Sequence, residues 1–204
     1  LGSRAVGGAG LVIAEATAVQ PNGRISPHDL GLWSDAHVEP LARITQFIHA
    51  QGSIAGIQLA HAGRKASTHR PWEGQGVVPP EHGGWSEVVA PSALPFSDTY
   101  PHPQALSLDG IAGIVRAFAD ATRRAHDAGF RVVELHASHG FLLHEFMSPL
   151  SNVREDAYGG SFDHRIRLTI EVVRAMREVW PADLPLFVRL SVTDWVEGGW
   201  DVEE

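Results

Sequence analysis

Four short apolar runs constrain the fold of this chain more than any other feature. They are GLVIAEA (10–16), SIAGIQLA (53–60), RVVELH (131–136) and LFVRLSV (186–192). Each run is nearly continuous in apolar residues, which is typical of parallel strands covered on both faces. Patterns of helical period lie between or beside them, at 35–51, 108–128 and 162–180. Because strand alternates with helix, the sequence predicts an α/β fold with a parallel sheet.

The predicted helices have recognisable start and stop signals. Ser34, Ser107 and Ser161 precede them as N-caps, and Gly52, Gly129 and Pro181 follow them. The predicted inward faces are Val38, Leu41, Thr45 and Ile48; Ile111, Ile114, Val115, Phe118 and Ala125; and Ile166, Ile170, Val173 and Met176.

The sheet could be an open doubly wound sheet or a closed barrel. The first run leads into EATAVQPNGRISP, which lacks the G-x-G-x-x-G turn of an open dinucleotide-binding sheet. The glycines of VGGAG precede the run, so we interpret them as a helix-to-strand turn.

Residues 66–105 form a long excursion rich in proline and glycine. Loops of this length are usually functional or disordered. Trp72, Trp85 and Phe96 favour an ordered, packed excursion, in which the two tryptophans either cover a substrate or pack within the loop.

Composition excludes several classes of function. The formal net charge is −8 without a basic run, which argues against a nucleic-acid groove or an anionic membrane surface. No run approaches the ~20 apolar residues that cross a bilayer. The chain has no Cys, so a thiolate nucleophile or Cys-ligated metal is impossible within it, and we expect a cytoplasmic location.

Polar side chains recur where the apolar runs end. They are Glu15 beside Ala16, Gln58 with His61, His136 with His139, and Arg189. In parallel α/β folds ligands bind at the carboxyl ends of strands, so four such positions predict a shared site. The amide of Gln58 suits a polar ring edge, and Arg189 suits developing negative charge. The two imidazoles can hold one carbonyl oxygen, so the site suits a flat electron-accepting ring with a carbonyl compound above it.

Other interpretations of these residues remain open at this point. His136 and His139 could belong to a metal site, although zinc needs three or four ligands and no further cluster completes one. They could also bond backbone groups, and Gln58 could be a satisfied core amide. Arg189 could form a core salt bridge with Glu15. A barrel hydrolase could use Glu15 and Asp194 as its acid–base pair.

Three long motifs resemble the Old Yellow Enzyme family of FMN-dependent ene reductases. They are GIQLAHAGRKAS (56–67), ELHASHGFLLHEFMSPLSNVREDAYGGSFDHRIRL (134–168) and LFVRLSVTDW (186–195). The loop sequence RPWEGQG…HGGW is similar to the bacterial xenobiotic-reductase-like branch. The likeness extends through essentially all 204 residues.

The resemblance implies a single FMN-binding (β/α)₈ TIM-barrel domain that includes residues 1–204. It implies an NADPH dehydrogenase in which NADPH or NADH reduces the flavin, which then passes hydride to an α,β-unsaturated carbonyl compound. By position, Ala16, Gln58 and Arg189 would contact the flavin, and His136 and His139 would bind the substrate carbonyl. A small-molecule substrate and a homo-oligomer are also implied. Arg24, Asp156, Tyr158 and Arg165 fall in matching motifs, and we interpret them as structural.

Two departures from the family pattern stand out. The family usually has Tyr as proton donor where this chain has Phe141, which cannot donate. The four runs match the second to fifth strands of a barrel that typically needs ~250 residues. We therefore expect an incomplete barrel, which as a fragment would bind FMN poorly alone. The alternative is a non-catalytic truncated remnant.

Overall fold

The computed structural model describes residues 1–203. Its α-helices are α1 (Gly2–Val6), α2 (Val38–Ala50), α3 (Leu108–Asp127), α4 (Leu142–Met147), α5 (Phe162–Arg165) and α6 (Arg167–Val179). Its strands are β1 (Leu11–Ala18), β2 (Ile54–Ala60), β3 (Val89–Ala90), β4 (Gln104–Ala105), β5 (Val132–Ala137) and β6 (Leu186–Leu190).

The predicted parallel α/β fold is confirmed. The four apolar runs form one parallel sheet in the order β1-β2-β5-β6, with each strand beside the next predicted strand along the chain. Over residues 1–203 this sheet stays open rather than closing into a barrel. The arrangement is that of an arc of a (β/α)₈ barrel, since each step from strand to strand crosses through a helix.

Helices α2 and α3 bury the apolar faces that their sequence pattern predicts. Leu41 and Ile48 of α2 are buried, as are Ile111 and Phe118 of α3. The hydroxyl of Ser107 accepts a hydrogen bond from the backbone N–H of Gly110 at 3.1 Å, which fixes the start of α3. These faces cover the outer side of the sheet and form one continuous core with its strands.

The third predicted helix differs from its prediction in two ways. Residues 162–180 form two helices, α5 and α6, separated at Ile166, and Ser161 makes no capping bond through its side chain. Ile170 is 41% exposed instead of facing inward, while Leu168, Val172 and Met176 are buried. The break at Ile166 sets a new phase for α6, so a face extrapolated through one continuous helix was wrong there.

The excursion 66–105 is ordered, with the short parallel pair β3–β4 in it. Trp85 is half-buried and its ring lies 4.7 Å from the guanidinium carbon of Arg24. Trp72, in contrast, is 77% exposed, so the expectation that it packs within the loop was wrong. Among residues 1–203, the cation over its ring is Arg70, and the guanidinium of Arg70 also pairs with Glu73.

None of the helices within residues 1–203 combines the length and apolar character needed to cross a bilayer.

Candidate active site

A bulge in β1 shapes one wall of the candidate site. Ala14 pairs with Ile57 and Thr17 pairs with Leu59, so that two residues of β1, Glu15 and Ala16, correspond to the single residue Gln58 of β2. The extra residue bends the strand, and bulges of this kind re-aim side chains near sites.

The three residues expected to contact a flavin lie around one cavity. It has a volume of about 580 Å³ and is lined by Ile13, Ala14, Glu15, Ala16, Gln58, Glu134, Val188 and Arg189. Strands β1, β2, β5 and β6 all contribute to it. The structure thus brings Ala16, Gln58 and Arg189 together, and their contact with a flavin stays a prediction.

Glu134 is a lining residue that the sequence reasoning missed. Its carboxylate accepts a hydrogen bond from the side-chain amide of Gln58 at 2.5 Å, and the two residues are register partners on β5 and β2. This bond leaves the amide oxygen of Gln58 free to accept. A signal was available, because Glu134 interrupts an apolar run two positions before His136 and so points to the same face of the sheet.

Arg189 presents an exposed guanidinium to this cavity. It is the register partner of His136 on β5. Within residues 1–203 it makes no hydrogen bond or ion pair, so the alternative of a core salt bridge with Glu15 does not hold in this structure. A cation without a counter-ion can stabilise negative charge on a bound group.

His136 and His139 lie together at the end of β5. The Nε2 atom of His136 is 3.3 Å from Nδ1 of His139. The Nδ1 atom of His136 lies 3.3 Å from the backbone N–H of Ser138, which donates to it. Nδ1 of His136 is therefore an acceptor, and its proton sits on Nε2 and points to His139. That arrangement leaves Nε2–H of His139 free to donate to a ligand.

Both imidazoles are held in the neutral form. Burial first, and then the nearby His139 and Arg189, lower the pKa of His136 to about 4. The pKa of His139 is also lowered, by burial first and then by Arg189 and Lys65. At neutral pH the pair therefore offers N–H donors without a positive charge.

The turn after β5 is held in an unusual backbone conformation. His139 has φ 61° and Gly140 has φ 69°, both in the left-handed region. Three bonds secure the turn: the backbone N–H of His139 donates to Ser191 Oγ at 2.9 Å, Lys65 Nζ donates to the His139 carbonyl at 2.8 Å, and the N–H of Gly140 donates to His144 Nδ1 at 2.8 Å. Strained positions of this kind persist only where their surroundings fix them.

Behind the turn, His144 approaches a carboxylate. Its Nε2 atom lies 3.1 Å from Asp194 Oδ1, and Asp194 Oδ2 accepts from the Ser148 hydroxyl and from the Trp200 backbone N–H. These contacts join the loop after β6 to helix α4. Asp194 does not line the cavity that holds Glu15, so the predicted acid–base pair of a hydrolase is not assembled.

Phe141 lies against His136, with ring centroids 4.8 Å apart. It also packs on the small buried cluster of Ala62, Ala66 and Val88. The side chain is a wall of the site beside the paired imidazoles, and it carries no group that can donate a proton.

Other residues that the sequence singled out lie in the scaffold. The described residues hold no group of three or more metal-ligating side chains, so nothing completes a metal site with the histidines. Arg24 bonds the carbonyls of Pro21 and Pro27, Tyr158 bonds Glu171, and Arg165 bonds the Met147 carbonyl. His61 is buried, accepts from the Gly63 N–H, and has its pKa lowered to about 4 by burial.

Sequence comparison finds relatives along the whole chain. Residues 1–204 match the model of the NADH:flavin oxidoreductase / NADH oxidase family. An NADPH dehydrogenase of Bacillus velezensis is 48% identical over 202 residues, which are 99% of this chain and 54% of the relative. The chain thus spans about half the length of this relative.

Solved structures agree with this result. Morphinone reductase in complex with tetrahydroNAD is 34% identical and superposes with a TM-score of 0.82, covering 99% of this chain and 56% of that protein. The old yellow enzyme homologue from Zymomonas mobilis is 33% identical, with a TM-score of 0.80, 98% of this chain and 55% of that protein covered.

Proposed function

This chain belongs to the NADH:flavin oxidoreductase / NADH oxidase family. We propose that it acts in an FMN-dependent NAD(P)H oxidoreductase of the Old Yellow Enzyme type. The substrate class is α,β-unsaturated carbonyl compounds, whose activated C=C bond is reduced. The observation that carries the proposal is the position of His136 and His139 beside a cavity lined by Ala16, Gln58 and Arg189.

The lining of this cavity suits a flavin ring. A volume of about 580 Å³ lies in the range of small-molecule sites. The free amide oxygen of Gln58 can accept from a ring N–H, and the unpaired guanidinium of Arg189 can donate to a ring carbonyl. Small, half-buried Ala16 lets a planar group approach the β1 backbone closely.

When bound, FMN supplies the means to accept hydride from NAD(P)H and to deliver it to the β-carbon of the substrate. The chain's own contribution is electrostatic and positional. Arg189 stabilises the negative charge that a reduced ring acquires, because it presents a cation without a counter-ion to the cavity from a strand of the sheet.

The paired imidazoles act on the substrate. Their N–H groups donate to its carbonyl oxygen and withdraw electron density from the conjugated alkene, which favours hydride addition at the β-carbon. For both to donate, His136 must turn its Nε2–H from His139 Nδ1 to the ligand, so substrate binding breaks the 3.3 Å contact between them. Neutral imidazoles suit this role, since they donate without needing a counter-ion.

The test is turnover of 2-cyclohexenone by the FMN-loaded protein with NADPH, with cyclohexanone measured as product. We expect His136→Ala and His139→Ala each to lower the rate of product formation by about 10²-fold or more, since each removes a donor to developing charge. The exposed His82 provides the matched control, and His82→Ala should leave the rate unchanged. Full activity of both site variants would contradict the proposed role of the pair.

A further inference from the structure

Reduction of an alkene needs a proton as well as a hydride, and Phe141 cannot supply it. Its ring lies 4.8 Å from His136, but its edge carries only C–H groups. The paired histidines are committed to the carbonyl oxygen under the proposed function, on which this inference rests. The α-carbon therefore needs a different donor near the Phe141 wall.

Lys65 places a cationic donor beside this wall. Its Nζ atom donates to the backbone carbonyl of His139 at 2.8 Å. The same atom lies 5.9 Å from the centroid of the Phe141 ring and 4.1 Å from that of Phe96. Two further N–H bonds of the ammonium remain for other partners, and its four-carbon stem allows it to move by several ångströms.

Lys65 is also the only lysine in the chain, in which the other 15 basic residues of the 16 are arginines. An arginine in its place could bond the His139 carbonyl and contact Phe96 equally well. It could not act as an acid, because the guanidinium does not deprotonate in proteins. The position therefore holds a cation that can transfer a proton, which an arginine there could not do.

The surroundings of Lys65 favour release of that proton. Burial lowers the pKa of its ammonium, Arg64 lowers it further, and only Glu145 of α4 acts in the opposite direction. Burial raises the pKa of Glu145 to about 8, so this carboxyl is largely uncharged at neutral pH. The other titratable groups facing Lys65 are His139 and His144, and both have lowered pKa values.

We propose that Lys65 is the general acid that protonates the α-carbon of the substrate in place of the missing tyrosine. The β-carbon gains the hydride, and the electron pair of the resulting enolate forms the new bond from the α-carbon to a proton of Nζ. The N–H bond breaks, its electrons stay on nitrogen, and the neutral amine takes a proton from solvent before the next turnover. The net reaction consumes one hydride from NAD(P)H and one proton from water.

The test distinguishes a role of Lys65 as general acid from a role as a cation that only stabilises the structure. Protein loaded with FMN is reduced anaerobically with one equivalent of NADPH and then mixed with 2-cyclohexenone. The rate of flavin reoxidation is compared between wild type, Lys65→Met and Lys65→Arg across pH. Lys65→Arg keeps the charge and the bond to the His139 carbonyl, so it also decides the matter should Lys65→Met fail to fold.

We expect both variants to reoxidise about 10²-fold more slowly, the scale of a general-acid contribution, while their reduction by NADPH stays within a few-fold of wild type. The wild-type rate should fall as pH rises through the Lys65 pKa, and this fall should disappear in both variants. Adding Phe141→Tyr to Lys65→Met should restore much of the lost rate, because the phenol is a new donor.

A second readout does not depend on turnover. Protein carrying ¹³C-lysine is titrated by NMR, and the Lys65 signal is identified by its loss in Lys65→Arg. We expect a midpoint below the ordinary value of 10.5. If Lys65→Arg reoxidised the flavin at the wild-type rate, or if Lys65 titrated with its ordinary midpoint, the inference about Lys65 would be overturned. The proposed function would not be affected by either result. A wild-type protein that takes up FMN but is not reduced by NADPH would instead overturn the proposed function.

Discussion

Position 141 decides how the proposed reaction is completed. Phe141→Tyr introduces a hydroxyl beside His136, whose ring centroid lies 4.8 Å from that of residue 141. We expect faster turnover of 2-cyclohexenone, because a second proton donor then faces the substrate. The rate of flavin reduction by NADPH should not change, since that step needs no proton at the substrate carbon.

Phe141→Leu is the control for this substitution, because it alters the packing on the Ala62–Ala66–Val88 cluster without adding a donor. Anaerobic stopped-flow measurement of the two half-reactions separates the effects. An unchanged enone rate in Phe141→Tyr would show that protonation does not limit turnover.

A substitution of Arg189 tests the proposed flavin-binding side of the site. Arg189→Met removes the unpaired cation from the cavity, and we expect FMN to bind at least about tenfold more weakly, since a charged hydrogen bond contributes about 1.5–3 kcal/mol. Quenching of FMN fluorescence on titration measures the affinity. Arg131, exposed at the opposite end of β5, is the matched control. Equal losses in Arg189→Met and Arg131→Met would mean that only net charge matters.

Some of these residues could be found from the sequence and others could not. Gln58 and Arg189 are polar groups in apolar runs, and the rule that ligands lie at strand ends brings them together. The hydrogen bond from Gln58 to Glu134 and the position of Lys65 beside His139 depend on register and loop path. Neither is encoded in a local pattern.

At the scale of the elements, the turn between β5 and α4 depends on His144. His144→Leu would remove the acceptor of the Gly140 N–H and the imidazole that lies 3.1 Å from Asp194 Oδ1. We expect the free energy of unfolding to fall by about 1–3 kcal/mol, the cost of an unsatisfied buried group. We also expect a higher KM for the enone, because the turn carries His139.

His144→Gln is the matched variant, because its side-chain oxygen can accept from the Gly140 N–H. Chemical denaturation and steady-state kinetics check both quantities. If His144→Leu and His144→Gln had the same KM as wild type, the contact would serve stability alone.

The elements also show where sequence patterns stop being reliable. The faces of α2 and α3 followed from periodicity because each helix is continuous. The prediction for Ile170 was wrong because the break at Ile166 shifts the phase of α6, and this one-residue interruption carries no proline or glycine signal. Trp72 was expected to pack because it is aromatic, but its neighbours in the excursion are polar or small, and it stays exposed.

At the scale of the whole molecule, buried histidines link stability to pH. The pKa of His61 is lowered to about 4 by burial, from an ordinary 6.5. Burial favours its neutral form in the folded state only. The contribution of His61 to the free energy of unfolding is therefore complete above pH 6.5 and is lost as pH falls toward 4. That difference corresponds to about 3 kcal/mol.

His61→Asn removes this titration while keeping an acceptor for the Gly63 N–H. We expect the variant to lose about 3 kcal/mol less stability than wild type between pH 7 and pH 4, measured by urea denaturation. The comparison is made between the two proteins because Glu145, whose pKa is raised to about 8, acts in the opposite direction over this range. Identical pH profiles would mean that His61 does not titrate as described.

The sheet order was the most predictable part of the molecule. Four apolar runs separated by helices have few arrangements once parallel neighbours and right-handed crossovers are required. The β1–β2–β5–β6 order is the sequential one of the (β/α)₈ barrel that the family resemblance implied. The bulge at Glu15 and Ala16 was not predicted, because it is a feature of the register between β1 and β2 and no local turn signal marks it.

The central claim is that the strand-end residues form a flavin site that accepts electrons from a nicotinamide. The most direct measurement is the visible spectrum of the protein expressed from its complete gene, supplied with FMN and desalted, before and after anaerobic addition of NADPH. We expect a bound-flavin spectrum that bleaches with NADPH. A colourless protein that retains no added FMN would contradict it.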